Sequence, residues 1–334
     1  MTSGRDERGA ALLSVLLLVA VMAVIAATAL DRLTLATRIA GSAATVDQGR
    51  AFSLAAEQIA LRRVADIVRR DATRLTGDGG WLGRDTVLPL PGGEGRARLT
   101  DASNCFNLNA LVAETAPGRL SQRAGAVAQF TELMVLTGID RGEALGIAGA
   151  AADWIDSDGN EGPLGAEDGV YRSMQPAYLP ANRQMAHVSE LRAVRGVTPK
   201  IYARLKPWIC VLPVTDPVRI NVNTLAPEQA PLVAMLMPGE ISLADARAAL
   251  AARPVGGYGS SMRFWEARSL ERLDPPTDVA EQAGVTSRWL AMTTKVKMGD
   301  GDLTAHALID VHGGAPAPGA APPLVVRRDW SDED

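Results

Sequence analysis

Two cysteines and three histidines are all that this chain of 334 residues contains. So few soft ligands exclude a disulfide-dense scaffold and a four-cysteine zinc site. His187, His306 and His312 lie far apart, and none has the spacing of a metal-ligand pair. An excess of positive charge is also missing. Lys plus Arg is 34 and Asp plus Glu is 38, a net charge of -4, which argues against a protein that coats nucleic acid. The chain holds no H-E-x-x-H, no G-x-S-x-G and no G-x-x-x-x-G-K. Gly256-Gly257-Tyr258-Gly259-Ser260-Ser261 is glycine-rich but follows no strand of a βαβ unit, so it reads as a flexible loop. No enzymatic activity is expected. What the chain does have is apolar material. With 47% hydrophobic and 22% charged residues it can bury a real core, and its length suits two domains or one domain with a large insertion.

The most informative segment is near the N-terminus. Ala10 to Leu30 reads AALLSVLLLVAVMAVIAATAL and carries no charge. As a helix it spans roughly 30 Å, the thickness of a bilayer core. MTSGRDERG precedes it and ends in Gly9; Asp31-Arg32 follow it. Three readings compete. One is a signal peptide removed near Ala27-Thr28-Ala29. The second is a plain membrane anchor. The third is a prepilin-type leader cut after Gly9, with the apolar segment retained. The run is longer than an ordinary signal-peptide core. No proline occurs from Asp31 to about Leu75, and Leu61, Val64, Val68 and Leu75 fall at helical spacing. A signal peptide would not be fused to such a continuation. In the leader reading, glycine fits the backbone closely into a protease, and the cut frees the amine of Ala10. The retained rod, 10–75, would reach on the order of 100 Å if fully helical.

Gly77-Asp78-Gly79-Gly80 should end the rod, and Pro89, Pro91, Gly92 and Gly93 read as loop punctuation. Residues 95–101 alternate as a strand, and Cys105–Asn109 extend or follow it. Trp289–Lys297 and Asp302–Val311 form a hairpin through Met298-Gly299-Asp300-Gly301. Between them, Ala- and Leu-rich stretches at 120–155, 186–206, 226–236 and 242–252 read as helices. After His312 comes GGAPAPGAAPP, a linker, and Leu324–Trp330 is either an edge strand or a loose tail.

These features together resemble the type IV pilin superfamily, and within it the minor pseudopilin K family of type II secretion systems. The resemblance rests on Gly9 with the apolar helix, Cys105-Phe106-Asn107-Leu108-Asn109-Ala110-Leu111, Ala152-Asp153-Trp154-Ile155-Asp156-Ser157-Asp158 and Gly165-Ala166-Glu167-Asp168. It continues through Val188–Val194, Cys210-Val211-Leu212-Pro213 and Ile220-Asn221-Val222-Asn223-Thr224. It implies an α+β fold: a pilin-like long N-terminal helix packed on a small antiparallel sheet, with a large inserted all-α domain. The divisions would be a leader at 1–9, a transmembrane part at 10–30 and a periplasmic helix at 31–75. The sheet region would comprise 76–109 and 289–334, and the helical insertion 110–288, with an acidic loop at 153–168. It also implies a single-pass bacterial inner-membrane protein whose body is periplasmic. Its role would be to cap the tip of the secretion pseudopilus, initiate assembly and help export folded proteins across the outer membrane. The implied partners are I- and J-type minor pseudopilins, the major pseudopilin, the inner-membrane assembly platform and a prepilin peptidase, and the mature N-terminus would be methylated.

One position departs from ordinary pilins. Counting Ala10 as first, the fifth residue is Ser14, where major pilins and pseudopilins carry a glutamate that pairs with a neighbour's terminal amine. An unpaired intramembrane charge costs at least ~2.5 kcal/mol, so such a pair sets register. A subunit with an amine but no acceptor has half of a head-to-tail contact and suits an end. The alternative is that Ser14 is simply a small residue at a helix contact.

Cys105 and Cys210 would form a disulfide in an oxidising periplasm; the alternative is two buried free thiols. Asp153, Asp156, Asp158, Asn160, Glu161, Glu167 and Asp168 form the richest oxygen cluster. Counted from Asp156, positions 1, 3, 5 and 12 of a calcium loop are Asp156, Asp158, Asn160 and Glu167, although Glu161 stands where glycine is usual. The expected ligands are Asp156, Asp158, Asn160, Glu167 and Asp168, and the ion is calcium, which the resembled family binds in its helical domain. A solvated acidic loop is the alternative. The rival function is a membrane-anchored helix-hairpin-helix DNA-binding or uptake protein, because Val188–Leu205 turns at Gly196 and the basic residues Arg192, Arg195, Lys200, Arg204 and Lys206 lie along it. Pro199 removes an amide that such a hairpin would offer to phosphate, so nucleic acid is not the expected partner.

Overall fold

The proline-free stretch folds as one rod. In the computed structural model, α1 runs from Ser3 to Arg70. The structure describes residues 3–299, 301–313 and 321–330. The first two residues of the expected leader, most of the linker after His312 and the last four residues of the tail lie outside them. From Ala10 to Ala44 every side chain of α1 is exposed. The segment Ala10–Arg70 would be roughly 90 Å long at 1.5 Å per residue.

Below this exposed stretch the rod lies on a sheet. A Cβ on Gly49 would meet Leu303 Cδ2 at 3.2 Å, so glycine is what lets helix and strand approach so closely. Ala56, Ala60 and Val64 then recur four residues apart and are buried, with Leu61, Ile67 and Val68 packed beside them. The helix stops at Arg70, short of the expected end near residue 75. Asp71 is the reason: its carboxylate accepts the amides of Thr73 and Arg74 at 3.0 and 3.3 Å, an Asx turn that competes with helix continuation. Leu75 still reaches the same core, but from the loop, where its amide donates to the Val285 carbonyl at 2.8 Å.

The sheet has five antiparallel strands in spatial sequence: β1 (Asp85–Leu90), β2 (Gly93–Asp101), β3 (Trp289–Met298), β4 (Gly301–Asp310) and β5 (Leu324–Trp330). The β3–β4 hairpin is the one the alternation predicts. β1 corrects the loop expected around Pro89: it pairs with β2 through a turn at Pro91-Gly92. Proline is tolerated there because β1 is an edge strand, where a missing N–H faces solvent rather than a ladder. β5 is the other edge. It is tied down by Arg328, whose Nε and Nη2 donate to the two carboxylate oxygens of Glu57 on α1 at 2.8 and 2.5 Å. Glu57 is 1% exposed while Arg328 reaches it from the solvent side, so this two-pronged pair ties rod to sheet.

Between β2 and β3 the chain leaves for the helical insertion and returns to the adjacent strand. Asp101 sits opposite Leu290, and the Ala102 amide donates to the Trp289 carbonyl at 3.0 Å, so departure and return are side by side. The insertion is built on α2 (Ala124–Leu136) and α3 (Arg141–Ile155), followed by α4 (Asp168–Arg172), α5 (Pro199–Leu205), α6 (Ala230–Ala234) and α7 (Leu243–Ala251). Phe130, Leu133, Ile147, Ile155, Leu191 and Leu205 are among its buried core. Two short parallel pairs close its neck: Phe106–Asn107 with Ile209–Cys210, and Ile220–Asn221 with Ala283–Gly284. Cys105 and Cys210 are joined by a disulfide at this neck.

The two Asn-x-Asn motifs explain how loops of this size are held. Asn109 donates to the Met185 and Leu212 carbonyls and accepts the Met185 amide at 2.8 Å. Asn107 accepts the Leu212 amide and donates to the Val214 carbonyl. Asn223 exchanges two hydrogen bonds with Tyr258, and Asn221 reaches the Leu75 carbonyl. All four are buried and substitute for a missing backbone ladder.

Candidate metal centre

The acidic cluster sits where α3 ends. Asp140 caps the start of α3 by accepting the Gly142 amide at 2.7 Å. The last turns are buried on every side, from Ile147 to Asp156, so Asp153 and Asp156 lie inside the insertion. Being three residues apart on a helix end, they share a face. Glu167, the residue before α4, returns to that face. Carboxylate oxygens of Asp153, Asp156 and Glu167 all lie within 4.8 Å of one another. The three residues are 0%, 3% and 5% exposed. A close approach of backbone makes the cage possible: a Cβ on Gly165 would lie 1.8 Å from Asp153 Oδ2, so only glycine fits.

Three carboxylates in such a space share few donors. Gln122 Nε2 donates to Asp153 Oδ1 and, at 3.2 Å, to Asp156 Oδ2; the Gly162 amide donates to Asp153. Asp156 Oδ1 and both oxygens of Glu167 are buried with no hydrogen-bond partner. Burial, reinforced by the charges of Asp153 and Asp156, pushes Glu167 up to about 7. Burial likewise pushes Asp156 up to about 6, with the neighbouring charges of Asp153 and Asp158 adding to it. Asp153 is also raised by burial, against hydrogen bonds from the Gly162 and Ala166 amides and Gln122. Buried anionic oxygens without donors are what a hard divalent cation accepts, since it supplies the positive charge that the protein withholds. The donor set fits calcium.

Of the ligands expected from the loop register, the structure brings Asp156 and Glu167 together and leaves Asp158, Asn160 and Asp168 apart. Asp158 and Asn160 are exposed and bond each other at 2.9 Å. Asp168 is ion-paired with Arg172 at 2.7 Å across one turn of α4. Asp153 takes their place. Its signal is the three-residue helical spacing to Asp156, which a twelve-residue loop count starting at Asp156 passes over.

The other singled-out residues have plain positions. Gly9 and Ala10 lie within the continuous α1, and Ser14 Oγ donates back to the Ala10 carbonyl at 2.9 Å. Val188–Ala193 is a 3-10 helix, and Gly196 turns with φ 86° into α5. Three of the basic residues of this segment serve the fold: Arg195 donates to the Leu164 carbonyl, Arg204 to the Gly138 carbonyl, and Arg192 lies over the Tyr202 ring.

Family models described as type II secretion system (T2SS), protein K match residues 104–214 and 220–286. The type II secretion system protein K of Klebsiella pneumoniae is 35% identical over 319 residues, spanning 92% of this chain and 93% of that protein. That of Pectobacterium carotovorum is 33% identical over 312 residues, again 92% and 93%. Among solved structures, a chain of the GspK-GspI-GspJ complex from enterotoxigenic Escherichia coli superposes with a TM-score of 0.71 at 28% identity. The match covers 86% of this chain and 97% of that one.

Proposed function

The chain belongs to the type II secretion system protein K family, and from that premise we propose that it is a minor pseudopilin that caps the pseudopilus tip. The observation carrying this is the pairing of an exposed, membrane-length rod with no carboxylate between Ala10 and Leu30. Cut after Gly9 by a prepilin peptidase, the protein offers the amine of Ala10 but, at Ser14, no acid to receive the amine of another subunit. It therefore completes a filament end rather than a shaft. The exposed rod packs beside the rods of I- and J-type minor pseudopilins, as the solved relative occurs in complex with two other proteins. This nucleus passes to the assembly platform and the major pseudopilin. The helix anchors the protein in the inner membrane, and the disulfide suits a periplasmic body. The role is mechanical, and no catalysis is assigned to it.

Calcium belongs to this reading as a structural ion. Asp153, Asp156 and Glu167 would hold it, and it would bind the loop between Asp156 and Glu167 to the end of α3. The ion supplies charge compensation only.

The test is mass spectrometry of the protein purified from cells, with immunolocalisation on filaments. A mature chain beginning at a methylated Ala10, found at one filament end, is expected. Ser14→Glu should then let it enter the shaft. A chain starting near Leu30, or wild-type protein distributed along the shaft, refutes the proposal.

A further inference from the structure

The far end of the rod is rich in positive charge. From Arg62 to Arg84 there are six arginines and three aspartates, in a chain whose net charge is -4. A cleft of about 370 Å³ opens there between the last turns of α1, the loop at 71–81 and Gly256 of the insertion. Its arginines are not equally engaged. Arg69 pairs with Asp66, and Arg74 with Asp71 at 2.8 Å. Asp71 is further occupied by the Thr73 and Arg74 amides and by Thr73 Oγ1 at 2.6 Å. Arg63 and Arg70 both line the cleft, are exposed, and make no ion pair or side-chain hydrogen bond among the described residues. Arg70 answers the negative end of the α1 dipole; Arg63, two turns earlier, lies beyond its reach. Asp78 accepts Thr76 Oγ1 at 3.1 Å and is the lining acid that pairs with no arginine among the described residues.

Between the two free arginines lies an apolar floor. Ile67, about one turn from each, and Trp81 line the cleft and pack on the core between rod and sheet. The Trp81 indole N–H is spent on the Thr76 carbonyl at 3.0 Å, so the ring offers surface rather than a donor. Opposite stands Gly256, beside the fully exposed Val255. That wall, Pro254-Val255-Gly256-Gly257, carries no charge. Spacing selects what can sit here. Seven residues of α-helix separate Arg63 from Arg70, roughly 10 Å along one face. A single phosphate or carboxylate is too small to meet both. In a polyproline II segment, side chains three residues apart share a face and stand roughly 9 Å apart.

We propose that this cleft binds an extended acidic segment of a partner polypeptide. Carboxylates three residues apart meet Arg63 and Arg70, and the residues between them lie over Ile67, Trp81 and Val255. Each guanidinium holds a carboxylate through two N–H groups, and the apolar walls focus the field of both. A polybasic or uncharged segment would gain nothing from the two arginines. The inference needs neither the acidic cage nor a position at the filament end.

Calorimetric titration of the full-length protein in detergent with acetyl-Glu-Pro-Pro-Glu-amide tests this, against acetyl-Gln-Pro-Pro-Gln-amide and inorganic phosphate. The glutamate peptide should bind, and the glutamine peptide about tenfold more weakly. Arg63→Gln and Arg70→Gln should each weaken the glutamate peptide about fivefold. Neither should move the melting temperature, since neither side chain has a partner to lose. Val255→Asp, at a fully exposed position, should weaken it by charge alone. Asp78→Asn should tighten it, a gain that a purely structural role does not produce. Absence of binding, equal affinity for the two peptides, or undiminished binding to the Arg63→Gln, Arg70→Gln double variant each overturns the proposal. Inorganic phosphate binding as tightly as the glutamate peptide also overturns it and assigns the cleft to a phosphate group.

Discussion

Removing calcium should destabilise the helical insertion in a way that depends on pH. Without an ion, Glu167 stays protonated until about pH 7, against 4.5 in an unfolded chain. A carboxyl raised in the folded state binds a proton that the unfolded state has already released. The ion-free fold is therefore at no disadvantage below about pH 4, and loses stability as pH rises through the interval up to 7. At 1.36 kcal/mol per unit, Glu167 alone costs the ion-free fold about 3 kcal/mol at pH 7.5. Calcium at a hundredfold excess over its dissociation constant restores about 2.7 kcal/mol. For an insertion of this size, roughly 2–4 °C accompany each kcal/mol, so chelation should lower the melting temperature by roughly 5–11 °C at pH 7.5. At pH 4.5 Asp156 and Glu167 are protonated, and chelation should change little. The assay is calorimetry of the full-length protein in detergent with calcium or chelator at both pH values. A melting temperature indifferent to calcium at pH 7.5, or the same decrement at both pH values, would refute the reasoning.

Gly165→Ala should abolish calcium uptake by isothermal titration, because its Cβ would occupy the space of Asp153 Oδ2. Glu57→Ala unpairs Arg328, whose side chain is 32% exposed and can be solvated, and should cost about 2 kcal/mol in denaturant unfolding, with proteolysis of β5 as a local readout. Reducing the Cys105–Cys210 bridge, which closes a separation of 105 residues, should cost up to ~4.7 kcal/mol by the chain-entropy model. A denatured protein with equal thiol counts before and after reductant would show that no bridge exists.

What could be read without coordinates were the patterns that repeat. The apolar rod, the β3–β4 hairpin and the α+β character follow from runs and alternation whose period is set by backbone geometry. What escaped were features set by single side chains or by partners distant in the chain. Asp71 ends α1 through one carboxylate, which no periodicity registers. β1 is hidden by its prolines, because edge position is a property of the sheet and not of the strand. Asp153 was passed over for a related reason: a loop register counts along the chain, whereas the cage is gathered by a helix face and the remote Gln122. The asparagines of the neck were visible as motifs, but their role emerged only with the carbonyls they meet, such as Met185 and Leu212.

Because the chain exits after Asp101 and re-enters beside it at Trp289, the pairing of β2 with β3 does not depend on the length of the detour between them. The neck works like a socket. Excising the detour and joining its ends with a few glycines, or replacing it with a fluorescent domain whose termini are adjacent, should leave the register of the strands intact, while Leu75 loses its ties to Val285 and Asn221. The scaffold is thus a chassis that can carry different cargo at the same mounting point.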